Sequence, residues 1–145
     1  MRKLLVFLLV IFCVLGTIGC NKQPQEEIES QPQQKQENQL LPEGNVIKVN
    51  VSSLPEKYNY SFTGENVKVI TDYLSSLNLQ SNFEENPDDY FGMTWVISLE
   101  YENGDTLTIY HFGNMFIRSE QGSCWYRMTS EEASRFEPLL NELDN

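Results

Sequence analysis

An α+β fold is predicted: an antiparallel meander sheet of four to five strands with two helices packed on one face. Three observations carry it. Trp95, Ile97, Leu99 and Tyr101 alternate with Val96, Ser98 and Glu100, the period of a half-buried strand. Val67, Ile70, Leu74 and Leu77 recur at helical spacing with Tyr73 beside them. Thr129 and Glu132 stand three apart before an apolar-periodic stretch, the pattern of a capping box.

Taken in order, residues 46–51 alternate and predict a first strand, Pro55 interrupts it, and residues 58–62 predict a second extended piece. Thr63 is placed to cap the first helix, with Phe62 and Val67 as a hydrophobic staple. Lys68, Asp72 and Ser75 or Ser76 then face water, and the helix ends near Asn78. Residues 83–92, rich in Glu, Asp, Asn and Pro, read as a surface loop. After the strand at 95–101, Asn103-Gly104 favours a type I′ hairpin turn, and Leu107 and Ile109 lie on the return strand. Turns at Gly113-Asn114 and Gln121-Gly122 introduce two more strands, residues 115–118 and 124–128. Ala133, Phe136, Leu140 and Leu143 mark the buried face of the last helix. Pro138 lacks a backbone donor and costs about 3 kcal/mol in a helix interior, so a kink or break is expected near Phe136.

The N-terminus differs in kind from the rest. Arg2 and Lys3 precede an apolar run from Leu4 to Leu15, and Gly16-Thr17-Ile18-Gly19 forms a small-residue exit before Cys20. A basic n-region, an apolar core of this length and a small-residue exit make a secretory signal. A bilayer-spanning helix needs about 20 apolar residues; the run falls short. These twenty residues resemble the precursors of bacterial lipoproteins, with Thr17 where that family more often has an aliphatic residue. The resemblance implies a diacylglyceryl group on the Cys20 thiol and cleavage before it, with residues 1–19 as signal peptide. Two acyl chains make membrane residence stable where one does not.

Residues 20–44 continue as the attachment cysteine and a tether, with seven Gln between Asn21 and Gly44 and almost no large apolar residue before Leu40. Such composition cannot bury enough surface to offset the entropy of ordering. As a coil it spans about 27 Å, enough to hold a domain near a membrane without resting it there. Residues 45–145 are then a single globular domain.

Charge narrows the partners. The precursor carries −11, and removal of Arg2 and Lys3 takes it to −13. That excess repels phosphate backbones and anionic headgroups, which argues against nucleic acid and leaves the acyl group as the membrane contact. Of three cysteines, Cys13 lies in the signal and Cys20 would carry lipid, so Cys124 has no partner for an intramolecular disulfide.

Few residues suggest chemistry. Cys124 and His111 are the domain's one thiol and one imidazole, the minimum for a nucleophile and its base. Cys124 opens a strand and lacks the basic neighbours that activate a thiol, while His111 reads as a surface imidazole before a turn. Glu84, Glu85, Asp88 and Asp89 gather oxygen ligands of the type Ca²⁺ prefers, without EF-hand spacing. No Gly-rich phosphate loop, His-x-x-x-His, Cys-x-x-Cys or Gly-x-Ser-x-Gly occurs. No cofactor is expected.

The aromatic content points elsewhere. All seven Tyr, both Trp and six of eight Phe fall in the domain, more than a core of this size absorbs. Tyr110 and Trp125 are out of phase with Leu107, Ile109 and Tyr126, which predicts an exposed aromatic strip suited to contact. The expectation is a lipid-anchored, extracytoplasmic, non-catalytic binding module with a protein partner in the cell envelope. The alternatives are a Cys/His-dependent hydrolase and an acidic-loop calcium-binding protein.

Overall fold

A computed structural model describes residues 40–113 and 115–145. The signal, Cys20 and the tether up to residue 39 lie outside the described residues, as does Asn114 of the second turn. Six strands form one antiparallel sheet: β1 (Val46–Leu54), β2 (Asn59–Thr63), β3 (Thr94–Tyr101), β4 (Thr106–Phe112), β5 (Phe116–Ser119) and β6 (Tyr126–Arg127). Their order is β2-β1-β3-β4-β5-β6. The expected meander is β3 to β6. The β1–β2 hairpin adds to it because β1 pairs with β3 along its other edge, Val51 opposite Ile97 and Val49 opposite Leu99. The sheet therefore has six strands rather than four or five.

Alternation decides the core. Along β3 the burial runs strictly inside and outside, with Trp95, Ile97, Leu99 and Tyr101 buried. Their cross-strand neighbours Val49, Val51, Leu107, Ile109 and His111 are buried on the same face. Ser53, the buried polar residue of that row, is satisfied within the β1–β2 turn: its hydroxyl donates to the Pro55 carbonyl and accepts from the Lys57 and Tyr58 N–H groups.

Helix α1 (Glu65–Ser76) buries Val67, Ile70, Tyr73 and Leu74 on that face, as its period requires, and leaves Lys68, Asp72, Ser75 and Ser76 exposed. Its start differs from the expected one. Thr63 pairs with Lys48 as the last residue of β2, so it belongs to the ladder and caps nothing. Gly64 turns the chain at φ 63, a backbone that residues with a Cβ rarely adopt, and no side chain caps the helix. Glu65 in the first turn compensates in part through the helix dipole.

The C-terminal helix is broken, as Pro138 requires, into α2 (Ser130–Ser134) and α3 (Phe136–Leu143), with the joint at Arg135. The Thr129–Glu132 capping box is complete. Glu132 also accepts the Asn78 N–H at 2.9 Å and so ties the end of α1 to the start of α2. Against the opposing pull of partial burial, hydrogen bonds from Thr129 and Asn78 and the Arg135 charge hold its carboxyl below the usual carboxylate range. Phe136 is wholly buried at the meeting point of these elements, 5.2 Å from the Tyr73 ring, 5.9 Å from Trp95 and 5.2 Å from His111.

Two further expectations change. The β3–β4 turn is not type I′: Gly104 N–H donates to Tyr101 O and Tyr101 N–H to Asp105 O, the bonding of a three-residue loop with Gly104 at φ 89. The last strand is also shorter, because residues 120–125 form a loop and pairing with β5 begins only at Tyr126. At the other end, Leu40 is buried in the core and Leu41 packs against it, so two residues assigned to the tether by composition are part of the fold.

Candidate contact surface

The helices cover one face of the sheet, and the face they leave open divides in two. Toward β1 and β2 it is polar and satisfied by its own groups: Lys48 and Asn50 both reach Glu100 Oε1 at 3.1 Å, and Ser61 donates to Asn50. Toward β4 and β5 it is aromatic. Tyr110 stands cross-strand from Val96 on one side and Arg118 on the other. The Arg118 guanidinium lies over the Tyr110 ring at 5.2 Å and over the Trp125 ring at 4.7 Å. Phe112 adds a tilted contact with Trp125 at 6.1 Å.

Strand phase explains each placement. Tyr126 opposes Ile117 and packs toward the helix-covered core, so Trp125, one residue earlier, turns to the open side. The preceding loop closes through Gly122, whose N–H meets both the carbonyl and the hydroxyl of Ser119. Tyr110 and Trp125 are thus brought into one cluster, and its centre is Arg118, which sequence reasoning did not single out. Alternation alone would have put Arg118 and Phe112 on the open face; only the β4–β5 register puts Arg118 beside Tyr110. Arg118 takes part in no hydrogen bond or ion pair among the described residues, and its Nε is buried.

Beside this cluster the open face is covered. Phe116, opposite Phe112, is fully buried beneath Phe83 and Tyr90 from residues 83–92, with ring centroids at 5.5 and 5.1 Å. Arg127 Nε meets Glu85 Oε1 at 3.1 Å and pins the same loop. Phe91 follows directly in sequence and is 97% exposed, a large apolar side chain with almost no cover from the described residues.

The structure separates the other candidates. His111 is buried on the helix-covered face at 1% exposure, not at the surface as its position before a turn suggested; it continues the phase of the buried Leu107 and Ile109. Burial pushes its pKa down to about 4. Cys124 is exposed in the loop before β6, outside any strand, with its Sγ 3.7 Å from the Ser123 hydroxyl. The thiol is exposed and the imidazole buried, and no hydrogen bond joins them among the described residues. The acidic loop does not converge either: Glu85 faces Arg127, Asn86 caps a 3₁₀ turn at Pro87–Asp89, and Glu84 and Asp88 are exposed. Among the described residues no three His, Cys, Asp or Glu side chains are grouped to hold a metal ion.

A shallow cleft lies between residues 41–46 and α1, lined by Glu43, Asn45, Lys68 and Thr71 over Tyr101. It includes neither the aromatic cluster around Arg118 nor Cys124, His111 or the acidic loop, and its lysine is paired with Asp72. No helix among the described residues is long and apolar enough to cross a membrane. No protein-family model matches the chain, and no curated protein or solved structure is significantly similar to it.

Proposed function

We propose that this protein is a lipid-anchored, extracytoplasmic binding module that meets a protein partner through the open face of its sheet. One observation carries the binding reading: the Arg118 guanidinium lies over Tyr110 and Trp125 with no counter-ion among the described residues, Phe112 packs on Trp125, and Phe91 is almost wholly exposed. Aromatic and Arg side chains dominate contact energetics because they present large, rigid area with directional polar groups. A non-catalytic role is supported by the placement of His111 in the core and Cys124 in an exposed loop.

The anchor rests on the resemblance of residues 1–20 to lipoprotein precursors, and the Gln-rich stretch that follows has the composition of a leash. A short leash raises the effective concentration of the domain for neighbouring envelope proteins. Mass spectrometry of the native protein tests the anchor: the expected N-terminal peptide begins at a diacylglyceryl-modified Cys20. A peptide beginning at Met1, or an unmodified Cys20, overturns it.

Photocrosslinking in the producing cell tests the surface. A photoreactive phenylalanine analogue at Phe91 or Tyr110 is expected to give one adduct of constant mass, absent when the analogue replaces the exposed Asp72 on α1 and lost with Arg118→Glu. The same adducts from both faces, or none from the open face of a folded protein, overturn the reading.

A further inference from the structure

Arg118 is the cation whose surroundings are least explained by the fold. The protein has 21 carboxylate side chains against 10 Lys and Arg, so acidic partners are abundant. Lys48 pairs with Glu100, Lys68 with Asp72 and Arg127 with Glu85, while Lys57 and Arg135 are exposed to solvent. Arg118 pairs with none among the described residues and is held instead over Tyr110 and Trp125. A ring face steadies a cation but accepts little from its N–H donors, so the guanidinium is oriented while its hydrogen-bonding capacity stays uncommitted.

We propose that Arg118 receives a single carboxylate carried by a peptide segment of the protein partner, with Tyr110, Phe112 and Trp125 contacting the apolar groups beside that carboxylate. The proposal rests on the open face being the contact surface. Charge complementarity selects the ligand. A guanidinium fork matches a planar carboxylate in a two-point contact that an amide or hydroxyl reproduces poorly. The aromatic ring edges around it carry partial positive charge, which also favours an anion. The partial burial of the site strengthens the pairing relative to open water.

The number of charges matters as much as their sign. Arg118 carries a single charge on a protein of net charge −11. A polyanion or an anionic membrane extends over many ångströms and meets the surrounding carboxylates, so it is repelled. A lone carboxylate meets Arg118 at contact, while charges beyond a Debye length of about 8 Å are screened at physiological salt. Glu100, on the same face, is already engaged by Lys48 and Asn50. Val96, cross-strand from Tyr110, and Phe112 extend the site with apolar surface suited to side chains.

The test uses the full-length protein, labelled with ¹⁵N in arginine and tryptophan side chains and titrated with N-acetyl-phenylalanine or with its neutral amide. The carboxylate is expected to shift the Arg118 Nε–H and Trp125 Nε1–H resonances and to bind about tenfold more tightly than the amide. Arg118→Gln is expected to abolish that preference while the amide's weak binding persists. Equal affinity of the two probes at Trp125 overturns the carboxylate site and leaves the contact surface standing, since crosslinking tests that separately. No shift with either probe, or tighter binding of inorganic polyphosphate than of N-acetyl-phenylalanine, also overturns it.

Discussion

Tyr73 Oη lies 3.3 Å from His111 Nε2, a hydrogen bond in the core that joins α1 to β4. The Tyr73 hydroxyl also reaches the Glu132 carbonyl as a donor, 3.1 Å away, an arrangement that suits His111 protonated on Nε2. The His111 Nδ1 has no partner among the described residues. Burial disfavours a second proton on the ring and lowers the pKa to about 4, against a smaller upward pull from the residue's own backbone. The unfolded chain takes up this proton near pH 6.5 and the folded chain only near pH 4, so stability falls as pH drops through that window. Urea unfolding between pH 6.5 and 5 is expected to lose up to about 1.4 kcal/mol per pH unit. His111→Phe should remove most of that slope; an unchanged slope would mean other groups produce it.

Phe136 and Phe91 are the extremes of one residue type. Phe136 is fully buried against Tyr73, Trp95 and His111, and Phe136→Ala is expected to cost about 3–5 kcal/mol by denaturant titration. Phe91 is 97% exposed, so Phe91→Ala should change stability by less than about 0.5 kcal/mol while weakening capture of the partner. A large stability loss at Phe91 would show that it packs on the domain.

Tyr101 is buried at the end of β3, and its hydroxyl has no hydrogen-bond partner among the described residues. Burial raises its pKa. An unpaired buried hydroxyl forfeits its hydration with nothing in return, so Tyr101→Phe should leave the fold intact and raise stability by up to about 1 kcal/mol. A loss of similar size would instead reveal an acceptor.

Cys124 is exposed, and the native protein should react with a maleimide without denaturant, at a rate close to that of the unfolded chain. Cys124→Ala should alter stability by less than about 0.5 kcal/mol and leave crosslinking from Phe91 unchanged. Protection of the native thiol would place it inside an interface.

Much of the fold was legible because the relevant signals are local. The alternation of residues 95–101, the 3.6-residue period of α1, the Thr129–Glu132 box and the break before Pro138 each depend on positions two to four apart, and each appears in the structure. The first helix start failed for a local reason with a distant cause. Thr63 has the chemistry of a cap, but pairing with Lys48 holds it in β2 and hands the turn to Gly64. The hairpin at Asn103-Gly104 failed similarly: Asn-Gly suits a two-residue turn, and pairing of Glu100 with Thr106 sets a longer one.

The candidate site was half legible. Strand phase placed Tyr110 and Trp125 on the open side and equally placed His111 with Leu107 and Ile109 inside, although its polarity suggested the surface. By itself, then, the sequence determined the central strands and the helical stretches, the side of its strand that Trp95, Ile97, Leu99 and Tyr101 occupy, and the acidic excess that surrounds them. The tertiary structure decided which face the helices cover, how β1 and β2 join the sheet, and that Arg118 stands between Tyr110 and Trp125 with no carboxylate partner among the described residues. Periodicity is carried by neighbours along the chain, whereas register and sheet order come from contacts between strands far apart in sequence, which no short window of residues encodes.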